Sequence, residues 1–442
     1  MKQCKMAIVI MVFMLVLVSC DDNTSTDIVN KYNELYAISD WSYIESDDTP
    51  LLGFVVNGDM MQYHDGYLYL FSGTTSSFLS LLNNGENKII PTLIRINLET
   101  GEMTPVCSDP LCTHSTPSCP FAGAINYIYI NGTIIYYNRT YTIRNGAEEV
   151  FGQRQFCSYN LETMEMRIYK QEEIVSERQY GENLQMLFYD NYCYYYNYAY
   201  NSDDDSYSWK IMRMDLDMGD EVYLGDRENE DGLLMEYLFI IGDRVYFRDA
   251  QSIFSTDLDL NDKQVHIEGR FTGERIYTDG ENIYYGVPLD EEEESYKLYR
   301  RGLDGSEAID LGIISCEGWF LTSDYIYYFN PDRFDMEYAD GGTLPFFFDA
   351  MYRCDYNGEN TELVYETYQK DDTITNKYIQ IINSMVVGNY IFAYYYGVND
   401  DNGNGLIDED EYYDNTRNRK DFNIMRIDIK NQKYELIYPN RE

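Results

Sequence analysis

Polar and apolar positions along this chain fall into a rhythm that recurs seven times. One or two turn residues (Gly, Asp, Asn or Ser) open a short run in which tyrosine alternates with branched apolar residues. Asp65-Gly66-Tyr67-Leu68-Tyr69-Leu70, Gly242-Asp243-Arg244-Val245-Tyr246-Phe247 and Gly388-Asn389-Tyr390-Ile391-Phe392 are three of these runs. A second polar-capped unit follows each, as in Arg95-Ile96-Asn97-Leu98-Glu99-Thr100-Gly101, Arg213-Met214-Asp215-Leu216-Asp217-Met218-Gly219 and Arg426-Ile427-Asp428-Ile429-Lys430-Asn431. Alternation at a period of two, bounded by Asx and Gly turn chemistry, predicts antiparallel hairpins. Two hairpins make a four-stranded unit, and one such unit cannot bury its apolar face alone. The predicted architecture is all-β: a seven-bladed β-propeller of four-stranded antiparallel blades, starting near Leu52 and ending near Tyr438 within a domain of residues 51–442. A pair of β-sandwiches would not explain so uniform a two-hairpin rhythm.

The second-hairpin motif resembles that of TolB-like bacterial propellers, and seven copies in order cover most of the chain. In such a blade the connection from second to third strand emerges on the same face as the connection between blades. The insertions fall in those places: Thr74 to Pro91, Asn201 to Ser206, Asp290 to Glu294, Asn330 to Phe348 and Val398 to Asp421. Long loops on one face of a rigid scaffold are where binding usually resides, so one face is expected to be elaborated and acidic.

The N-terminus reads as a processing signal over residues 1–19. Lys2 and Lys5 precede the apolar run Met6 to Val18, whose 13 residues are too few for a permanent span, which needs about 20. Leu17-Val18-Ser19-Cys20 resembles the lipobox of bacterial lipoproteins, and this resemblance implies cleavage before Cys20 and acylation of that residue. The chain is thus expected to sit outside the cytoplasm, at the cell surface or facing the periplasm, with the membrane reached through N-terminal acyl chains. Residues 20–50 then form a lipidated cysteine, a polar tether and a segment with Trp41 and Tyr43 that closes the ring or packs beneath it.

Composition narrows the partners. The formal net charge is −43, a field that repels phosphate backbones and excludes nucleic acid as a partner. Forty-seven tyrosines fit strand surfaces and packing between blades, with a remainder free to stack on sugars. Cys157, Cys193 and Cys354 lie in predicted strands and read as buried thiols.

Two clusters carry candidate chemistry. Asp400-Asp401-Asn402-Gly403-Asn404-Gly405-Leu406-Ile407-Asp408-Glu409-Asp410-Glu411 places oxygen side chains at the ligand positions of a twelve-residue EF-hand loop. The resemblance implies a structural calcium site of Asp400, Asn402, Asn404, Asp408 and Glu411 with the Leu406 carbonyl. No amphipathic helices flank it, which separates it from sensor proteins. The second cluster, Cys107, Cys112, His114 and Cys119, has the spacing Cys-x4-Cys-x-His-x4-Cys. It fits a disulfide-stapled loop, a tetrahedral zinc site, or unpaired thiols. It also resembles a segment of tyrosine-rich bacterial lipoprotein propellers.

His64, before a hairpin turn, and His266, in a fourth strand, read as structural, and no catalytic signature is present in the sequence. The expected function is a monomeric, non-enzymatic module that binds a glycan, peptide or protein. The alternative is an extracellular glycan hydrolase or lyase with carboxylate acid and base on the loop-rich face.

Overall fold

The computed structural model describes residues 41–48, 52–53, 61–71, 93–107, 118–122, 124–145, 148–173, 186–201, 206–228, 235–269, 275–289, 295–316, 319–329, 334–337, 343–346, 350–366, 368–369, 377–399 and 423–438. Seven antiparallel sheets form the blades of a propeller. Blades 1 to 7 occupy residues 61–105, 124–173, 186–226, 236–268, 276–316, 320–366 and 377–438. Within each, the four strands pair in sequence order. Between the second and third strands of blade 6, Phe334–Glu337 and Thr343–Phe346 make a small hairpin of their own.

The repeated Asx residue explains the uniform second hairpin. Asn97, Asn160, Asp215 and Asp428 each accept two backbone N–H groups, from two and three residues further on, through the side-chain oxygen. Asp257 and Asp355 do so from two and four residues on. Such caps satisfy turn donors that would otherwise lack partners. The residue that follows the third strand ties the two hairpins of a blade together. The N–H of Leu98, Leu161, Leu216, Leu303 and Ile429 donates to a carbonyl in the first hairpin turn, at Gly66, Thr133, Asn191, Glu281 and Asn389.

Tyrosines fill the seams. Leu187, Tyr194, Tyr196, Tyr237 and Phe247 join blades 3 and 4, with Tyr196 and Tyr237 stacked at 4.6 Å. Another device recurs in four blades: Arg95, Arg213, Arg353 and Arg426 lie over the rings of Tyr67, Tyr192, Tyr325 and Tyr390 at 4.9, 5.0, 4.3 and 4.7 Å. Each tyrosine opens or immediately precedes a second strand and each arginine sits in the third, so the pair clamps the blade across its centre.

All four strands of blade 1 come from 61–105 and all four of blade 7 from 377–438, so among the described residues no strand is shared across the seam that closes the ring. The apolar faces of the two blades meet there directly, Met61, Leu68, Leu70 and Ile94 against Tyr390, Phe392, Tyr394 and Ile424. Residues 41–48 strap this seam from the side of the hairpin turns. The Trp41 indole N–H donates to the Leu98 carbonyl of blade 1 at 2.7 Å. Its ring lies 5.3 Å from Tyr390 and 6.3 Å from Phe392 of blade 7. Gly101, at φ +74°, is the residue this approach requires, since a Cβ there would stand 2.6 Å from the Trp41 ring. Asn389 then pins the strap twice, accepting from Ile44 N at 2.8 Å and donating to Ser42 O at 3.2 Å.

Beyond the strap, Leu52–Gly53 pairs with Ile276–Thr278, the innermost strand of blade 5. Leu52 is therefore not the start of blade 1, as the repeat implies, but an added strand at the ring's axis. The first strand of every blade runs toward the hairpin-turn face. An antiparallel partner consequently runs the other way, so Leu52–Gly53 head away from the hairpin-turn face. The inner edge of blade 5 gains backbone partners it would otherwise lack.

Candidate functional site

The two faces of the ring differ in what they carry. Second-to-third strand connections and blade-to-blade connections share one face by topology. The insertions named above begin or end there; residues 72–92, 202–205, 290–294, 330–333, 338–342, 347–349 and 400–422 lie outside the described residues. The expected calcium ligands Asp400, Asn402, Asn404, Leu406, Asp408 and Glu411 are among these, and Cys20, Cys112 and His114 also lie outside the described residues.

Cys107 and Cys119 are described, at the two ends of the connection from blade 1 to blade 2. Both are buried in the seam between those blades. Their Sγ atoms are 3.8 Å apart. Two thiolates on one tetrahedral zinc, at Zn–S of about 2.3 Å, stand about 3.8 Å apart, and two sulfurs in van der Waals contact are also within reach of oxidation to a disulfide. The spacing suits either chemistry. The buried Arg139 guanidinium holds the far end of the connection by donating to the Cys119 and Pro120 carbonyls. Tyr137 OH donates to Pro120 O at 2.8 Å.

Three further cysteines are packing groups. Cys157, Cys193 and Cys354 are fully buried and not disulfide-bonded. Burial pushes the Cys157 thiol up to about 11 and Cys354 up to about 12, away from the thiolate that nucleophilic chemistry requires. His266 Nε2 lies 2.8 Å from Ser255 Oγ with its ring stacked on Tyr246. Burial, aided by the Arg244 and Arg301 charges, lowers its pKa and favours neutral imidazole. His64 ends the first strand of blade 1 beside the Asp65-Gly66 turn.

A cavity of about 770 Å³ opens on the hairpin-turn face, between the strap and the turns of blades 6 and 7. The strap supplies Glu45 and Asp48, blade 6 supplies Asp324, Tyr327, Arg353 and Glu362, and blade 7 supplies Asn389 and Lys430. Asp48 is 8% exposed and accepts Ser323 Oγ at 3.2 Å and Asp324 N at 3.0 Å, which fixes the strap to the first turn of blade 6. Arg353 is committed to Glu362, donating from Nε at 2.9 Å and Nη2 at 2.7 Å. Sequence reasoning missed this site, because its walls come from three stretches of chain brought together only by the strap.

No family model matches the chain, and no curated protein matches it. Solved structures similar to it include one from a study of two prolyl endopeptidases (8% identity, TM-score 0.49, covering 93% of this chain and 51% of that one). The chain thus spans about half the length of that protein. The β-propeller domain of the Trilobed protease from Pyrococcus furiosus is similar at 10% identity and TM-score 0.45, covering 88% and 97%. An oligogalacturonate lyase from Vibrio parahaemolyticus is similar at 10% identity and TM-score 0.43, covering 80% and 91%. At these identities the likenesses carry no information on activity or ligand.

Proposed function

We propose that the protein is a non-enzymatic binding module, tethered outside the cytoplasm through acyl chains on Cys20, that takes a glycan, peptide or protein on the face bearing the insertions. The observation that carries this reading is the polarity of the ring. The strap joins the N-terminal tether to the hairpin-turn face, at Leu98, Asn389 and Asp324, opposite the insertions. A membrane anchor on that side leaves the insertion-rich face pointing outward. Calcium held by Asp400, Asn402, Asn404, Asp408 and Glu411 with the Leu406 carbonyl orders the longest of these loops, neutralising carboxylates that would otherwise repel one another.

The reading is tested by probing glycan and peptide arrays with the full chain, with and without Ca2+. Retention of one ligand class without cleavage is the expected result. Cleavage of a polysaccharide with no ligand retained would sink it in favour of a hydrolase or lyase.

A further inference from the structure

Both ends of the connection from blade 1 to blade 2 are fixed by buried chemistry that the binding reading leaves unused. Cys107, 7% exposed, follows the fourth strand of blade 1, and Cys119, 5% exposed, precedes the first strand of blade 2. Their sulfurs touch at 3.8 Å, inside an apolar cluster with Leu93, Phe121, Ile125 and Tyr159. The Phe121 N–H donates to the Cys119 sulfur at 3.4 Å.

A ladder of polar side chains holds Cys119 in that place. Arg139, Gln155 and Gln171 stand opposite one another on the second, third and fourth strands of blade 2. Gln155 Nε2 donates to Gln171 Oε1 at 2.5 Å, and Arg139 Nε donates to Gln155 Oε1 at 2.8 Å. The ladder ends with Arg139 Nη1 donating to Cys119 O at 2.5 Å. Arg139 and Gln155 are both buried. A guanidinium is costly to bury, and this one is aimed at the backbone of a cysteine whose sulfur already meets another.

We propose that Cys107 and Cys119 are a redox pair that closes to a disulfide, and that Arg139 is the positioning residue that sets Cys119 on Cys107. The bond forms by exchange with a small disulfide such as oxidised glutathione. The Cys119 thiolate, its charge stabilised by the Phe121 N–H, attacks one sulfur of the oxidant, and the other sulfur leaves as a thiolate. Cys107, deprotonated, then attacks the Cys119 sulfur of the mixed disulfide and displaces the second glutathione thiolate. The two thiol protons pass through water to the two glutathione thiols, which carry away the two electrons. A neutral disulfide suits the apolar pocket and needs no group beyond the two sulfurs. It closes a loop of 13 residues in a chain of 442, which should raise the melting temperature by about 3 °C. The pair is independent of whatever ligand the insertion-bearing face takes.

Equilibrating the full chain in a series of glutathione redox buffers, then quenching, alkylating and mapping its peptides, tests the pair. The oxidised form is expected to carry a Cys107–Cys119 bond, kept in Cys112→Ser and in Cys157→Ala and lost in Cys107→Ser. Arg139→Met keeps the stem and removes the donors, and should shift the thiol–disulfide equilibrium about tenfold toward the thiols. A purely structural role would lower the melting temperatures of the oxidised and reduced forms alike and leave that equilibrium where it is. Mapping of the unsubstituted chain decides the pairing alone if the Arg139 variant does not fold. Thiols at Cys107 and Cys119 that remain open to alkylation in the most oxidising buffer, or a bond to Cys112 in their place, would overturn the pairing. So would stoichiometric zinc held by the purified chain and lost in Cys119→Ser. An unchanged equilibrium in Arg139→Met would overturn the part given to Arg139.

Discussion

Replacing Trp41 by alanine removes a side chain that touches both sides of the seam closing the ring. A fully buried tryptophan costs about 3–5 kcal/mol when truncated. Trp41 is only partly buried against the blade 1 and 7 cluster, so roughly half of that range applies to its packing on Tyr390 and Phe392. The lost indole hydrogen bond to Leu98 O adds about 1 kcal/mol. Arg426, 5.2 Å above the indole, loses one of its two aromatic partners. The expected loss is about 2.5–3.5 kcal/mol, read as a lower urea midpoint by far-ultraviolet circular dichroism. Hydrogen exchange followed by mass spectrometry supplies the location. Met61–His64 and Tyr390–Asn399 should exchange faster in the variant, while the strands of blades 3 and 4 keep their protection. Trp209→Ala, in blade 3 beneath Arg227, serves as the control and should leave the seam protected. A loss below about 1 kcal/mol, or faster exchange spread evenly around the ring, would refute the argument that the strap closes it.

Three further outcomes are expected. Chelation should lower the melting temperature of the full chain, and Asp400→Ala should lower it once and abolish the response to chelator. Stability should decline as pH falls below about 6.5, because the folded state lowers the His266 pKa from 6.5 and the unfolded chain takes the proton first; thermal melts of His266→Gln should show a flatter profile over that window. Non-reducing peptide mapping after exposure to oxygen should find Cys107 joined to Cys119, whose sulfurs are 3.8 Å apart. Stoichiometric zinc by elemental analysis, lost in Cys119→Ser, would assign the pair to a metal instead.

The blades were legible because the information is local. Asn97 or Asp215 caps its own turn from two and three residues away, so the residue order names the hairpin. Tyrosine alternation names the strands for the same reason. The contacts of the strap were not legible, although Trp41 and Tyr43 mark the segment in the polar leader. Its contacts reach Leu98, 57 residues on, and Tyr390, 348 residues on. The Arg–Tyr clamps show an intermediate case. Arg353 and Tyr325 both belong to the repeat, but their pairing follows from register, Arg353 lying opposite Tyr327, which no single motif displays. The cavity lay furthest out of reach. Asp48 and Asp324 are unremarkable among 76 acidic residues until the strap sets one against the turn that holds the other.

The central claim, that the insertion-rich face is the binding face, is tested most directly by hydrogen-exchange footprinting of the full chain with the ligand retained on the arrays. Protection should fall on peptides spanning the second-to-third strand connections, residues 72–92, 202–205, 290–294 and 400–422. It should be absent from the hairpin turns at Asn97 to Gly101, Asp215 to Gly219 and Asp428 to Gln432. Protection confined to those turns, with the insertions exchanging as in the free protein, would contradict the claim.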